Sequence, residues 1–335
     1  MKDKISIKEI AEMAGVSIAT VSRVVNQKGG YSAETEQLVK KIVQENKYTP
    51  NMMAKGLRTS KNAIIGILVP DITYEYFSGL VLELQKEFFK NGYLTMVCNS
   101  NETQNLEKEY LEAFVGQKVS GIILASGSDM KFNPVGIPTV YVGRKPRGNH
   151  TDFSKDIVFV ESDNVEGGYL ATKELLDKGC RNIIFLTDSL RGSCKIERYE
   201  GYCNALMEAG IELNPSLILK VNQASESAAR EAIHHAFQQG VQFDGVMCAT
   251  DMLAIGAIIG LEECQIRVPE EVKVTGFDDV SASRYFRVPV TTIHQYNDKT
   301  AEIVSELLLR LINGEEIENS RQIVPVSLIC RKSTE

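Results

Sequence analysis

The stretch that decides the reading is residues 6–26, SIKEIAEMAGVSIATVSRVVN. Ser6, with Glu9 three residues on, has the form of a capping box and predicts a helix starting there. Ile7, Ile10, Ala11 and Ala14 then share one face at helical spacing. Gly15 permits the tight turn that ends the helix. Ser17 is placed to cap a second helix, Ile18 to Val25, whose inner face is Val21, Val24 and Val25. Two short helices joined through a glycine turn make a helix-turn-helix. A third helix over about 33–46 is expected to close the bundle with Leu38, Ile42 and Val43.

The second helix presents Ile18, Ala19, Ser22 and Arg23 outward, the positions that meet base edges in the major groove when such a motif binds DNA. The Arg23 guanidinium matches guanine O6 and N7, and Ile18 and Ala19 suit thymine methyls. Thr20, Ser22 and Asn26 are sized to donate to phosphates, and Ser17 joins them at the helix start. A helical bundle with no part in DNA binding shares this spacing, so these residues alone leave both readings open. Charge bears on the choice. The chain carries −7 overall, yet residues 1–60 hold ten Lys and Arg against six Asp and Glu, while the remainder holds 27 against 38. A basic head on an acidic body needs only the head to meet phosphates.

Working outward, Tyr48-Thr49-Pro50-Asn51 and Ala54-Lys55-Gly56-Leu57 follow. With the opening run they resemble the headpiece of the lactose-repressor (LacI) family, and the resemblance continues through the rest of the chain. It implies sequence-specific binding to a pseudopalindromic operator by a homodimer. It also implies that residues 50–61 form a hinge helix in the minor groove. Leu57 would wedge between base steps there, with Asn51 and Lys55 among the DNA contacts and Arg58 beside a phosphate. Taken without the family, Leu57 reads as an ordinary linker residue, and Gly56 makes so short a helix marginal.

From Ile64 onward, short apolar runs alternate with helical patterns. Strands are predicted at 64–69, 95–98, 121–124 and 139–142, then at 183–186, 217–219, 245–248 and 272–276, with helices such as 79–90 and 106–117 between them. Two such series predict parallel sheets covered on both faces, in two Rossmann-like lobes. Ligands in that architecture sit outside the carboxyl ends of strands. The runs SDNVEGG (162–168), ERYEGY (197–202), TDMLAIG (250–256), GFDD (276–279) and TIHQ (292–295) resemble type I periplasmic sugar-binding proteins. The expected fold is thus a small all-α helix-turn-helix headpiece (1–49), a hinge (50–61) and an α/β body (62–335) of the periplasmic-binding-protein type I fold. The N-lobe would span about 62–162 and 294–323, and the C-lobe about 163–291 and 324–335, with crossings near 161–164, 290–294 and 322–326.

The resemblance also marks an effector site. Arg198 would offer forked donors, and Asp278 would take paired hydrogen bonds from vicinal hydroxyls, though a lobe-stabilising ion pair fits both residues too. Gln295, Thr250 and Arg144 match further contact positions. Where ribose-type sites have Asn, Asp and Asn, this chain has Tyr74, Gly143 and Thr250. Tyr74, Tyr76 and Phe77 follow the first strand, where aromatics stack on a sugar ring or a base, or simply pack the lobe. Tyr76-Phe77 resembles the purine-repressor branch. Asp163 and Asp251 read as structural, capping the helices after them.

Other classes are disfavoured. No G-x-G-x-x-G, P-loop or G-x-S-x-G occurs, and no His stands beside a nucleophile, so neither an enzyme nor a nucleotide cofactor is expected. Seven cysteines without a C-x-x-C pair, and no H-x-x-x-H, argue against a metal and suit a reducing cytosol. No apolar run is long enough to span a membrane, and the first residues lack a signal-peptide core. The expectation is a cytoplasmic repressor with a saccharide effector. A purine effector of the same family is the alternative, and a solute-binding transport receptor is the reading from another class. No heptad tail follows the body, which favours a dimer.

Overall fold

The computed structural model describes residues 5–25, 29–46, 63–125, 136–143, 157–188 and 192–335, and the chain divides into two compact units, Met1–Asn62 and Ala63–Glu335. The first contains α1 (Ile7–Ala14), α2 (Ile18–Val25) and α3 (Ala33–Glu45). Local chemistry sets each start. Ser6 Oγ accepts the Glu9 N–H at 3.3 Å, while Glu9 Oε2 accepts the Ser6 N–H at 2.7 Å. Gly15 closes α1 at φ 65°. Ser17 Oγ accepts the Thr20 N–H at 3.1 Å, and Ser32 Oγ that of Thr35 at 3.2 Å.

Ile10, Ala11, Ala14, Val21, Val24, Val39 and Ile42 form the core of this unit, with Val25 and Val43 packed at its edge. Leu38 departs from expectation. It is 45% exposed, and Val39 is buried in its place. Positions 38 and 39 stand four and three residues before Ile42, so helical spacing admits either. Only the direction from which α1 and α2 pack decides between them.

The second unit has two lobes. In the N-lobe β1 (Ile64–Val69), β2 (Leu94–Asn99), β3 (Gly121–Leu124), β4 (Thr139–Val142), β5 (Ile157–Ser162) and β11 (Arg321–Val324) make a parallel sheet in the order β11-β5-β4-β3-β1-β2. One face packs against α4 (Glu75–Lys90) and α11 (Asn297–Ile312), the other against α5 (Gln104–Gly116). Covered on both faces, β1 is a continuous apolar run rather than an alternating one.

In the C-lobe β6 (Ile183–Thr187), β7 (Ile218–Lys220), β8 (Gly245–Cys248) and β9 (Lys273–Thr275) are parallel in the order β7-β6-β8-β9. Bridges from Thr275 to Thr291 and from Asp278 to His294 carry the sheet on to an antiparallel pair, β10 (Thr292–Gln295) and β12 (Val326–Ile329). Its helices are α6 (Asn164–Asp177), α7 (Ser193–Glu208), α8 (Glu226–Gln238), α9 (Asp251–Glu263) and α10 (Ser281–Tyr285).

The chain passes between lobes at Asp163, at Tyr296 and at Pro325. The second crossing lies just beyond 290–294, because β10 stays in the C-lobe through its pairing with β12. Sequence patterning leaves β5, β10, β11 and β12 unmarked, and it starts α4 at Gly79 rather than Glu75. The N-cap of α4, Tyr74, makes no side-chain capping bond that could have announced the helix.

Glycines bring α6 and α7 into backbone contact. A Cβ on Gly168 would stand 2.1 Å from the Arg198 carbonyl oxygen, and one on Gly201 2.1 Å from that of Val165. This close approach places the Arg198 backbone. The variant Gly201→Ala is therefore expected to lose roughly 1–3 kcal/mol to overpacking, read as a lower urea midpoint with an unchanged slope.

Candidate functional site

Two surfaces follow from this framework, one in each unit. On the headpiece Ser17, Ala19 and Arg23 are exposed, while Ile18, Thr20 and Ser22 are half-buried. Ile18 also packs on the headpiece core, so only part of it faces out. The Thr20 hydroxyl pairs with that of Ser17 at 2.8 Å, which ties both to the helix start. Asn26, Asn51, Lys55, Leu57 and Arg144 lie outside the described residues, as does the expected hinge.

The body holds a cavity of about 700 Å³ between its lobes. The N-lobe contributes Asp71, Thr73, Tyr74, Tyr76, Phe77, Asn101, Glu102 and Gly143, and the C-lobe Asp188, Cys194, Lys195, Asn222, Gln223, Thr250 and Asp278. Nearly all follow the carboxyl ends of strands, where a parallel sheet leaves its loops and helix N-termini facing outward. Tyr74, Tyr76, Phe77, Thr250 and Asp278, the candidate contacts named from sequence, are thus brought together in one lining.

Arg198 and Gln295 are not in the lining. They lie buried behind Asp278. Arg198 donates from Nε to Asn164 Oδ1 at 2.9 Å and from Nη1 to the Ala249 carbonyl at 2.6 Å, with its guanidinium 3.5 Å above the Phe277 ring. Its Nη2 stands 3.6 Å from Asp278 Oδ1. Gln295 Nε2 donates to the same oxygen at 2.6 Å. In this structure both residues orient Asp278 and leave the cavity wall to others.

Asp278 sits at φ 112° and Asp279 at φ 53°, a backbone that L-residues rarely adopt and that the surroundings must enforce. Enforcement comes from Asp251, the first residue of α9 rather than its cap. Thr250 is the cap, its hydroxyl accepting the Leu253 N–H at 3.4 Å. The Asp251 carboxylate accepts from the Val280 N–H at 2.9 Å, the Ser283 hydroxyl at 2.7 Å and the Thr292 hydroxyl at 2.5 Å. Asp163 does cap α6, accepting the Glu166 N–H at 3.0 Å.

Burial, and then the negative charge of Asp278, push the Asp251 carboxyl up to about 7. Burial also raises Asp278, opposed by Arg198, Tyr74 and Gln295. The Tyr74 hydroxyl donates to Asp278 Oδ2. Packing around its ring, followed by the charges of Asp278 and Asp251, keeps that phenol protonated far above neutral pH.

Sequence reasoning missed Asp188, Lys195, Asn101, Glu102, Asn222 and Gln223. Asp188 follows β6, Asn101 and Glu102 follow β2, and Asn222 and Gln223 follow β7, so the strand-end rule was the signal that could have found these five. Lys195 on α7 reaches back to Asp188 as an ion pair.

Residues 6–51 match the model for bacterial regulatory proteins of the lacI family, and residues 172–334 match a periplasmic binding protein-like domain. The HTH-type transcriptional repressor PurR of Pasteurella multocida is 32% identical over 98% of each chain. The HTH-type transcriptional regulator RegA of Clostridium saccharobutylicum is 34% identical over 98% of this chain and 99% of its own. The chain belongs to the lacI family.

As a member it is a DNA-binding transcriptional repressor. Among solved structures, the transcriptional regulator CelR in complex with cellobiose superposes with a TM-score of 0.73 at 26% identity, over 98% of this chain and 99% of that one. No helix among the described residues is long and apolar enough to cross a membrane.

The elevated Asp251 carboxyl has a consequence for stability. A carboxyl whose folded pKa lies above its unfolded one stabilises the fold in its protonated form, fully below about pH 4 and progressively less as pH rises through about 7. Wild type should therefore lose stability relative to Asp251→Asn between about pH 4 and about pH 7, measured by urea unfolding. A pH-independent difference would mean that Asp251 titrates in the ordinary carboxylate range.

Proposed function

We propose that this repressor is controlled by a small saccharide-like effector held between the lobes of its body. The observation that carries the reading is the cavity itself. It combines three aromatic side chains with a set of hydrogen-bonding groups on strand ends, which suits a polyhydroxylated ring with apolar faces. The cellobiose complex of a structural neighbour supports the same class. A homodimer would present two headpieces to a pseudopalindromic operator in the cytoplasm, and effector binding would bias the lobe arrangement and with it operator affinity. No catalytic step is assigned to the chain, and no metal or cofactor.

A purine effector is the second reading. Tyr76 and Phe77 stand edge to face at 5.1 Å beside the cavity, and several relatives carry the name PurR. A thermal-shift panel of mono- and disaccharides, sugar acids, sugar phosphates and nucleobases separates the two. A ligand at about 100 times its Kd adds roughly 2.7 kcal/mol of stability. A saccharide shift upholds the first reading, and a guanine or hypoxanthine shift replaces it with the second. The variant Asp278→Ala should abolish whichever shift is seen while leaving operator binding measurable.

On the headpiece, Arg23→Ala should weaken operator binding by roughly 1–3 kcal/mol and relax the preference at one base pair. Equal losses on operator and random DNA in a salt-controlled binding assay would make Arg23 a phosphate contact instead.

A further inference from the structure

Two successive residues at the start of α4, in the N-lobe, reach the loop and helix that carry Asp278 in the C-lobe. Tyr74 donates its hydroxyl to Asp278 Oδ2 inside the cleft. At the rim, both Glu75 carboxylate oxygens accept the Ser281 N–H at 2.9 Å, and Oε2 also takes the Ser281 hydroxyl. Helix α10 lacks a cap of its own, since its N-cap is Val280, which makes no side-chain capping bond. Glu75 supplies from the opposite lobe the anionic oxygens that a helix N-terminus favours.

The inner contact also decides what Asp278 has left to give. Its Oδ1 is held by Gln295 and faced by Arg198, and its Oδ2 by Tyr74. A ligand hydroxyl that bonds to this carboxylate at Oδ2 either shares that oxygen with the Tyr74 hydroxyl or displaces it. Where the ring carries a phenol, the site thus holds a protein donor that mimics a sugar hydroxyl.

We propose that Tyr74 and Glu75 form a two-point clasp that holds the two lobes together without effector. The inner point competes with the effector for one acceptor position on Asp278, and the outer point sets how readily the lobes part. The competition rests on the reading of the cleft as the effector site, whereas the clasp does not.

The test is hydrogen–deuterium exchange on the full chain with no ligand added, comparing wild type with Glu75→Ala, Ser281→Pro and Tyr74→Phe. Proline is tolerated at the first position of a helix, so Ser281→Pro removes both donors to Glu75 and leaves α10 able to form. Glu75→Ala leaves a good helix former at an exposed position of α4. The clasp predicts several-fold faster exchange in each variant at residues 222–224, which line the C-lobe side of the cleft and take part in neither contact, with β1 and β8 unchanged. Faster exchange confined to 74–78 and 280–285 would overturn the proposal and reduce Glu75 to a helix cap. Because no ligand is present, this outcome is independent of the effector panel.

Discussion

The carboxylate of Asp251 joins its own helix to segments 29 to 41 residues further along the chain. It begins α9, binds the turn after β9 through Val280 and the short helix α10 through Ser283, and binds β10 through Thr292. A Cβ at residue 276 would stand 2.3 Å from Asp251 Oδ1, so the carboxylate needs glycine there to approach. A buried charge without partners is costly, and one with three donors is tolerated and strongly directional. The turn it holds carries Asp278 in a left-handed conformation, and the strand it holds leads directly to the second lobe crossing. The geometry of the cleft floor and the path of the chain between lobes therefore depend on the same group.

Around that floor the packing is arranged in tiers. Close contact of α6 and α7 through Gly168 and Gly201 sets the Arg198 backbone. The Arg198 guanidinium, stacked on Phe277, is then directed to Asn164, Ala249 and the Asp278 carboxylate. Asp278 in turn faces the cavity and meets Tyr74 from the other lobe. Side chains that resemble ligand contacts in a one-dimensional reading act here at different depths, some on the wall and some behind it. A two-lobed body built this way has a natural variable, the separation of its lobes, which a ligand bound between them can bias.

The parts legible in the sequence are those whose cause is local. Ser6 and Glu9 announce a helix because the capping box closes within four residues. The buried runs 64–69 and 245–248 announce strands because both faces of a covered parallel sheet demand apolar side chains. Tyr74, Tyr76, Phe77, Thr250 and Asp278 were legible as cavity residues through family resemblance and the strand-end rule together. Leu38 was misread because residues 38 and 39 satisfy the same helical spacing. Strands β10, β11 and β12 gave no signal, because their runs mix polar with apolar residues and are defined by partners on distant segments.

By itself, then, the sequence determined the helix-turn-helix, the alternation that yields two α/β lobes and the residue types gathered at strand ends, since capping, periodicity and turn chemistry act over a few residues. Tertiary structure alone decided which of those residues face the cavity. It turned the donors of Arg198 and Gln295 toward the protein, made Asp251 the anchor of the cleft floor and put Tyr74 and Glu75 across from Asp278 and Ser281. These pairings link positions up to 206 residues apart, and no local rule reaches that far. They exist only once the two lobes have folded and met.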